Sequence, residues 1–494
     1  MGLTRRALLL GGGALAGGAA TRWIGGRNPS LAGTALLQPK GGAGVLNDAS
    51  LLSETPIHRH LTLTEAPGDA LVAALRKELR EAAAAGRPVT IGAARHSMGG
   101  QAIPRDGHAI TFDNGLVEPD RANGTYRVHA GARWSQVIAA LDPIGFSPKV
   151  MQSNNDFGVA STFSVNAHGW PVAMGPMGST VREIRMLLPD GDLVTASRSE
   201  NADLFRLAMG GYGLIGLIVD LVVEMVPNRM LTPSFARMPA AEFAARFVAE
   251  LRQPEVSMCY GRLNVERGDF FSEALLVSYR DAAEQSDLPP AAGSGWMARR
   301  ARDIFRAQLG SDPVKSARWW TEAWLGPRLA GDATRNSLIN EPVATLDDRD
   351  PTRTDILHEY FVAPERFAEF VELCRAVIPS SYQEMLNVTL RHVETDPDSV
   401  LAYATGPRIA AVMLFSQEMT ARAEADMTRM TRALIDGTIS IGGSYYLPYR
   451  PHATVAQLHA AYPRAAEFSA AKRALDPKLV LRNNQWDSYL GVEA

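Results

Sequence analysis

The stretch IGAARHSMGGQA, residues 91–102, ends one strand-like run and leads into another. It constrains the fold more than any other segment. A strand feeding Gly92, Ala93, Ala94, Arg95, His96, Ser97, Met98, Gly99, Gly100 and Gln101 offers a row of backbone N–H groups with little side-chain bulk. Such a loop can wrap a diphosphate, because its amides converge and its glycines permit close approach. The stretch is neither GxGxxG opening a helix nor a GKS/T loop, so the dinucleotide fingerprint and the P-loop are not supported. Taken alone, it also reads as a plain hairpin turn.

The flanks are ordered. GDALVAALRKELREAAAAG predicts an amphipathic helix with Asp69 as N-cap and Gly86 as stop. PVTIGAA and HAITFDN predict buried strands either side of the glycine loop, and TYRVHAGA alternates. WSQVIAAL and ADLFRLAMGG predict short helices. IRMLLPDGDLVTAS reads as two strands about Pro189-Asp190-Gly191, and LIGLIVDLVVEMV as a long buried strand ending at Pro227. Beyond it, residues 229–325 read as helix-like segments with an exposed loop at DAAEQSDLPPAAGSG. EYFVAPERFAEFVELCRAVIP then predicts a strand and a helix starting near Pro364. MLNVTLRHV, VLAYAT and RIAAVMLFSQ predict strands, and TARAEADMTRMTRALIDGT a helix. This block reads as a second α+β domain on an antiparallel sheet. The tail, helical and then turn-rich, is expected to fold back on the first domain.

A chain of 494 residues calls for at least two domains. Its net charge of −3 and the lack of a basic stripe with interleaved aromatics give no sign of nucleic-acid binding. Cys259 and Cys374 form neither a CxxC pair nor a metal-ligand spacing, so no metal is expected. They read as two separate buried thiols, with a single disulfide as the other reading. Residues 1–35 carry Arg5, Arg6, Arg22 and Arg27 and no acid. Paired arginines before a short Gly/Ala-rich apolar run have the shape of a twin-arginine export signal, so a periplasmic or extracellular location is expected, with no membrane span in the mature chain.

Two further glycine-rich stretches follow the first: DFGVASTFSVNAHGWPVAMGPMGS at 156–179 and MGGYGLIGLIVDL at 209–221. In this order and spacing the three resemble the vanillyl-alcohol-oxidase superfamily, whose flavin domain is the PCMH-type FAD-binding domain. The resemblance covers residues 55–228 and weakens toward the C-terminus. It implies an α+β fold: a two-part PCMH-type FAD-binding domain at 55–228, an α+β cap (substrate) domain on an antiparallel sheet at 229–454, and a C-terminal segment, 455–494, returning to the first. It implies FAD as cofactor, its diphosphate on the first loop. Gly158, Ser161, Thr162, Asn166, His168 and Gly169 would pack on the diphosphate and isoalloxazine, and Ile218 beside the flavin. Arg95-His96-Ser97 matches the step that in covalently flavinylated members carries the histidine bonded to the flavin 8α-methyl, so a single link through His96 is expected. Ala160-Ser161 stands where many members have Gly-Gly.

In the second domain, Thr389-Leu390-Arg391-His392 lies where alditol oxidases carry Glu-x-Arg; Arg391 matches and Thr389 does not. GGSYYLPYRPHAT, residues 442–454, resembles both the RPHWGK-like signature of aldonolactone and alditol oxidases and the GGxxYL of the decaprenylphosphoryl-ribose oxidase branch. Tyr449 stands in place of that branch's active-site lysine. Arg391, Tyr449, Arg450 and His452 are therefore the candidate catalytic residues, with Tyr446 beside them and His452 or Tyr449 as base. The expected activity is oxidation of a CH–OH group in a polar, sugar-like, polyol or lactone substrate by hydride transfer to flavin N5. Oxygen or another acceptor would take the electrons. The alternatives are cytokinin-dehydrogenase-like oxidation of a C–N bond, which an acidic base in the cap would favour, and a flavin-carrying electron-transfer protein without turnover.

Overall fold

The computed structural model describes residues 36–293, 303–343 and 350–492. The export signal expected over 1–35 lies outside them. Three short strands, β1 (Arg59–Leu63), β2 (Val89–Ile91) and β3 (His108–Phe112), form a parallel sheet with β3 in the middle. Helix α1 (Asp69–Ala84) connects β1 to β2 and buries Leu71, Val72, Leu75 and Leu79. Its N-cap is Gly68, not Asp69, which is the first helical residue and places its carboxylate in the first turn, where the helix dipole favours it. Gly86, at φ +62°, follows the C-cap.

A second, antiparallel sheet follows. It is built from β4 (Val117–Asp120), β5 (Thr125–His129), β6 (Phe146–Pro148), β7 (Val181–Leu187), β8 (Leu193–Ser197) and β9 (Leu217–Pro227). The order is β8-β7-β9-β5-β4, with β6 on the end of β9. The Pro-Asp-Gly turn pairs Leu187 with Leu193. Helices α2 (Trp134–Leu141), α3 (Val159–Ser164) and α4 (Ala202–Ala208) lie among these strands.

The cap is one eight-stranded antiparallel sheet. Its strands are β10 (Met230–Pro239), β11 (Val256–Leu263), β12 (Glu273–Asp281), β13 (Ala333–Thr334), β14 (Arg353–Val362), β15 (Glu384–Val393), β16 (Arg408–Glu418) and β17 (Ser444–Tyr445), in the order β13-β10-β12-β11-β15-β16-β14-β17. Two expectations fail here. Residues 230–281 are mostly strand, with the single helix α5 (Phe243–Leu251), because alternation such as Met258, Tyr260, Arg262 against Cys259, Gly261, Leu263 serves two buried faces and blurs the polar period. VLAYAT pairs with nothing; it is a turn whose Tyr403 hydroxyl donates to the Asn166 carbonyl at 2.7 Å.

Helices α5, α7 (Phe367–Val377) and α8 (Ala421–Ser440) cover one face of the cap sheet; Phe243, Phe247 and Phe367 pack in one cluster. Helix α6 (Asp312–Trp320) belongs to the other side. Cys259 and Cys374 are free and buried. Helices α9 (Val455–Ala461) and α10 (Ala465–Leu475) lead to residues 480–484, which run beside β2: Leu481 bridges to Val89 in parallel, and the Thr90 hydroxyl donates to the Arg482 carbonyl at 3.0 Å. No helix among the described residues is long and apolar enough to cross a membrane.

Candidate active site

A cavity of about 1100 Å³ opens between the first domain and the face of the cap sheet opposite α5, α7 and α8. Its first wall is the glycine loop. The ends of that loop are fastened by their own amides: Gly92 N donates to Ile110 O at 2.9 Å, Met98 N to Pro448 O at 2.8 Å, Gly99 N to Gln101 Oε1 at 2.9 Å and Gly100 N to Asp48. Between these anchors, the amides of Ala93, Ala94, Arg95 and Ser97 meet no acceptor among the described residues and lie on the cavity wall. Arg95 adopts φ +52°, which curls the loop.

Residues 91–97 thus form the cradle, and Gln101 joins them. Met98, Gly99 and Gly100, expected to bind the cofactor, stand behind the wall, because their amides are spent on anchoring; the Met98 sulfur accepts from Leu357 N at 3.1 Å. The Gln101 amide donates to the carbonyls of Leu447 at 2.9 Å and Tyr449 at 2.8 Å, tying the loop to the cap.

The second glycine-rich stretch supplies the opposite wall. A Cβ on Gly158 would lie 2.9 Å from that of Ala93, so the two loops can approach this closely only with glycine there. The amides of Ala160 and Ser161 at the start of α3 meet no acceptor among the described residues. Thr162 and His168 also reach the wall. Asn166 and Gly169 do not. Asn166, at φ +46°, accepts from Gly178 N at 2.9 Å and donates to Asp396 at 2.8 Å; a Cβ on Gly169 would lie 2.1 Å from Met151 O. These two residues shape the stretch. Ile218, Gly216 and Tyr212 complete this side, and His96 projects from the cradle with its ring 4.3 Å from that of Phe157. Converging free amides, a glycine contact and an apolar floor fit a flavin dinucleotide.

The cap face contributes every second residue of its strands: Asp355, Leu357 and Glu359 on β14, Asn387, Thr389 and Arg391 on β15, Val412 and Leu414 on β16, Tyr260 and Arg262 on β11. Arg391 is held by Ser153, to whose Oγ its Nη2 donates at 2.6 Å; its Nε is buried without a partner among the described residues. Burial pulls the guanidinium below its ordinary pKa and the Glu359 carboxylate pulls the other way. Tyr446 and Tyr449 stand on the same wall, and burial beside Glu359 pushes the Tyr449 phenol well up.

Two expected catalytic residues are corrected. Arg450 and His452 are not on the wall. Past Tyr449 the chain turns at Pro451, and both side chains converge on Glu424 of α8. Arg450 also donates to Ser53 Oγ at 2.9 Å and Met98 O at 3.1 Å, and His452 Nδ1 lies 3.0 Å from Thr431 Oγ1. Burial alone would raise the Glu424 carboxyl, but His452 and Arg450 hold it well below the usual range. Burial lowers His452 as well. This cluster braces the glycine loop.

Glu359 was missing from the sequence reading. It is 3 % exposed, its Oε1 contacts His168 Nε2, and its Oε2 accepts from the Tyr449 hydroxyl at 3.2 Å. A lone acid in the apolar run HEYFV was the available signal. Away from it, the cavity is lined by Phe235, Tyr260, Leu275, Val277 and Tyr279, with Trp170 edge-on to Tyr260 at 5.2 Å.

Residues 70–197 match the family model described as FAD binding domain. The chain carries an FAD-binding domain. It is of the PCMH type, and its matched span holds both the cradle and its glycine-rich partner wall. Curated relatives align over part of the chain. A Neurospora crassa protein named as a D-arabinono-1,4-lactone oxidase is 29% identical over 23% of this chain and 20% of its own. The mitochondrial L-galactono-1,4-lactone dehydrogenase of Brassica oleracea is 25% identical over 32% of this chain and 26% of its own. Cytokinin dehydrogenase 1 of Oryza sativa subsp. japonica is 34% identical over 33% and 32%. The alignments span a fifth to a third of these relatives' own lengths.

Proposed function

We propose that the protein is an FAD-dependent oxidoreductase that oxidises a CH–OH group of a hydroxylated, sugar-like or lactone donor. The observation that carries this reading is the shared cavity: the FAD cradle and the cap residues Arg391 and Tyr449 face the same space. FAD, when bound, supplies the hydride acceptor. The chain's own groups do the rest. The free amides of Ala93, Ala94, Arg95, Ser97, Ala160 and Ser161 hold the diphosphate. Arg391 stabilises negative charge that develops beside it. The cap sheet excludes water. Two of the relatives are named for lactones, which supports the donor class.

Oxidation of a C–N bond is the second reading. It is favoured by the acid found on the cap wall, Glu359, and by the cytokinin dehydrogenase match. Anaerobic mixing of the purified protein with L-galactono-1,4-lactone, xylitol and a cytokinin separates these. Bleaching of the flavin band by the lactone or polyol is expected. Bleaching by the cytokinin alone moves the assignment to C–N donors, and no bleaching by any donor leaves an electron carrier.

His96 belongs to the same proposal as the covalent anchor. Its ring projects from the cradle onto the cavity wall, where a neutral imidazole can act as nucleophile toward the 8α carbon. Such a bond suits an enzyme exported through residues 1–35, which could not easily replace lost FAD. Acid precipitation should leave the yellow colour in the pellet, and His96→Ala should release it to the supernatant with the fold intact. Quantitative release from the wild type would make His96 a packing neighbour only.

A further inference from the structure

The Glu-x-Arg pair that the sequence half-matches at Thr389-x-Arg391 lacks its carboxylate. The cap sheet supplies one in the same row. Thr389 pairs with Val412 on β16, and Val412 pairs with Glu359 on β14. Two strand spacings, about 10 Å, separate Thr389 from Glu359. All three residues face the cavity. An acid moved two strands along a sheet still reaches the same space from the other side. We propose that Glu359 is the catalytic base of this cavity, taking the hydroxyl proton of the donor, and that His168 positions it from the FAD-binding domain. The inference rests on the reading that the chain oxidises a donor at bound FAD.

The surroundings of Glu359 suit that task. Its two oxygens are engaged by His168 Nε2 and by the Tyr449 hydroxyl, and each oxygen keeps a further lone pair. His168 Nδ1 lies 3.4 Å from the Gly169 carbonyl. Acceptors therefore face both ring nitrogens. The remaining groups facing Glu359 are Arg391, Tyr403, Tyr446 and Tyr462. Arg391 is the cation among them, and the tyrosines are held neutral by burial. When the donor reacts, its O–H bond breaks with the proton going to Glu359. Its C–H bond breaks with the hydrogen and the bonding electron pair going together to the flavin as hydride, and the C–O bond becomes C=O. The flavin is the oxidant, and Glu359 later returns its proton to solvent.

The test has two arms on the FAD-loaded protein. The first needs no donor: ring-nitrogen NMR follows His168, assigned by its loss in His168→Gln. Its Nε2 signal should move in Glu359→Gln, since that nitrogen contacts the Glu359 carboxylate. An unmoved signal overturns the pair. The second arm uses L-galactono-1,4-lactone as the probe and measures flavin reduction anaerobically against pH. Glu359→Gln should reduce its flavin about 10²–10⁴-fold more slowly and lose the acid limb of the profile, whereas Glu359→Asp should keep the limb. Full activity in Glu359→Gln, with the limb intact, overturns the base assignment. A wild-type flavin that the lactone fails to bleach is a failure of the lactone reading instead, and the His168 Nε2 signal then decides whether the pair exists.

Discussion

Replacing Arg391 by alanine should slow anaerobic flavin reduction by about 10²–10³-fold while the FAD content of the purified protein stays unchanged. The size follows from the usual loss of about 2.7–4 kcal/mol when one preorganised donor beside developing charge is removed. Arg391 fits that description. It is anchored at one end by Ser153, its Nε has no partner among the described residues, and it stands on the cap wall, apart from the amides of the cradle. The nearby carboxylate, Glu359, is engaged by His168 and Tyr449, so it does not consume the guanidinium. Arg391→Lys should fall between, because an ammonium keeps the charge but loses the planar fork. Stopped-flow reduction with a donor that bleaches the wild type reads the rate, and the ratio of flavin to protein absorbance reads occupancy. Unchanged single-turnover reduction in the alanine variant removes Arg391 from the site.

The cradle was legible in the sequence because its function is written in backbone: glycines and alanines between two strands leave amides free, and that pattern survives without knowledge of the rest of the chain. Even so, the sequence did not show which of those amides would be spent. Asp48, Gln101 and Pro448 take three of them, and two of these acceptors are far away along the chain. The cap was harder to read. Its strands at 256–281 are buried or half-buried along both faces, so the alternation that marks a half-exposed strand is lost. Arg450 and His452 were misplaced because three residues after Tyr449 cannot reveal a turn. Pro451 sends them toward α8, where Glu424, a residue nothing in the local sequence connects to them, fixes both. Glu359 was hidden for the opposite reason. One acid in an apolar strand reads as an ordinary edge position, and only its register opposite Val412 and its contact with His168 give it a role.

The return of the C-terminal segment to the first domain is aimed by Asp476. Asp476→Ala should destabilise the protein by about 3–5 kcal/mol, the range for stripping a buried charge of its partner. The Lys472 and Asp476 side chains are 0 % and 1 % exposed and form an ion pair. Burial draws the Lys472 pKa down to about 8 while Asp476 opposes it. The same carboxylate accepts from the amides of Val480 at 2.9 Å and Leu481 at 2.8 Å, which aims residues 480–484 along β2. From there Asn484 N donates to Ile103 O at 3.1 Å, Asn484 Nδ2 to Thr55 Oγ1 at 2.8 Å and Asn483 Nδ2 to Tyr212 O at 2.9 Å. Each of these contacts backs a segment close to the FAD cradle. Loss of Asp476 should therefore also speed amide hydrogen exchange across residues 89–103, at the far end of the chain from the substitution. Urea unfolding of the holoprotein measures the first effect and exchange mass spectrometry the second. The pair Lys472→Met with Asp476→Asn separates charge from anchoring. It removes both charges and leaves an acceptor for one of the two amides, so it should recover part of the lost stability, because replacing a buried ion pair by neutral groups is often near neutral. A loss below about 1 kcal/mol in Asp476→Ala, within the range of exposed ion pairs, would mean that the tail is held by its apolar contacts alone.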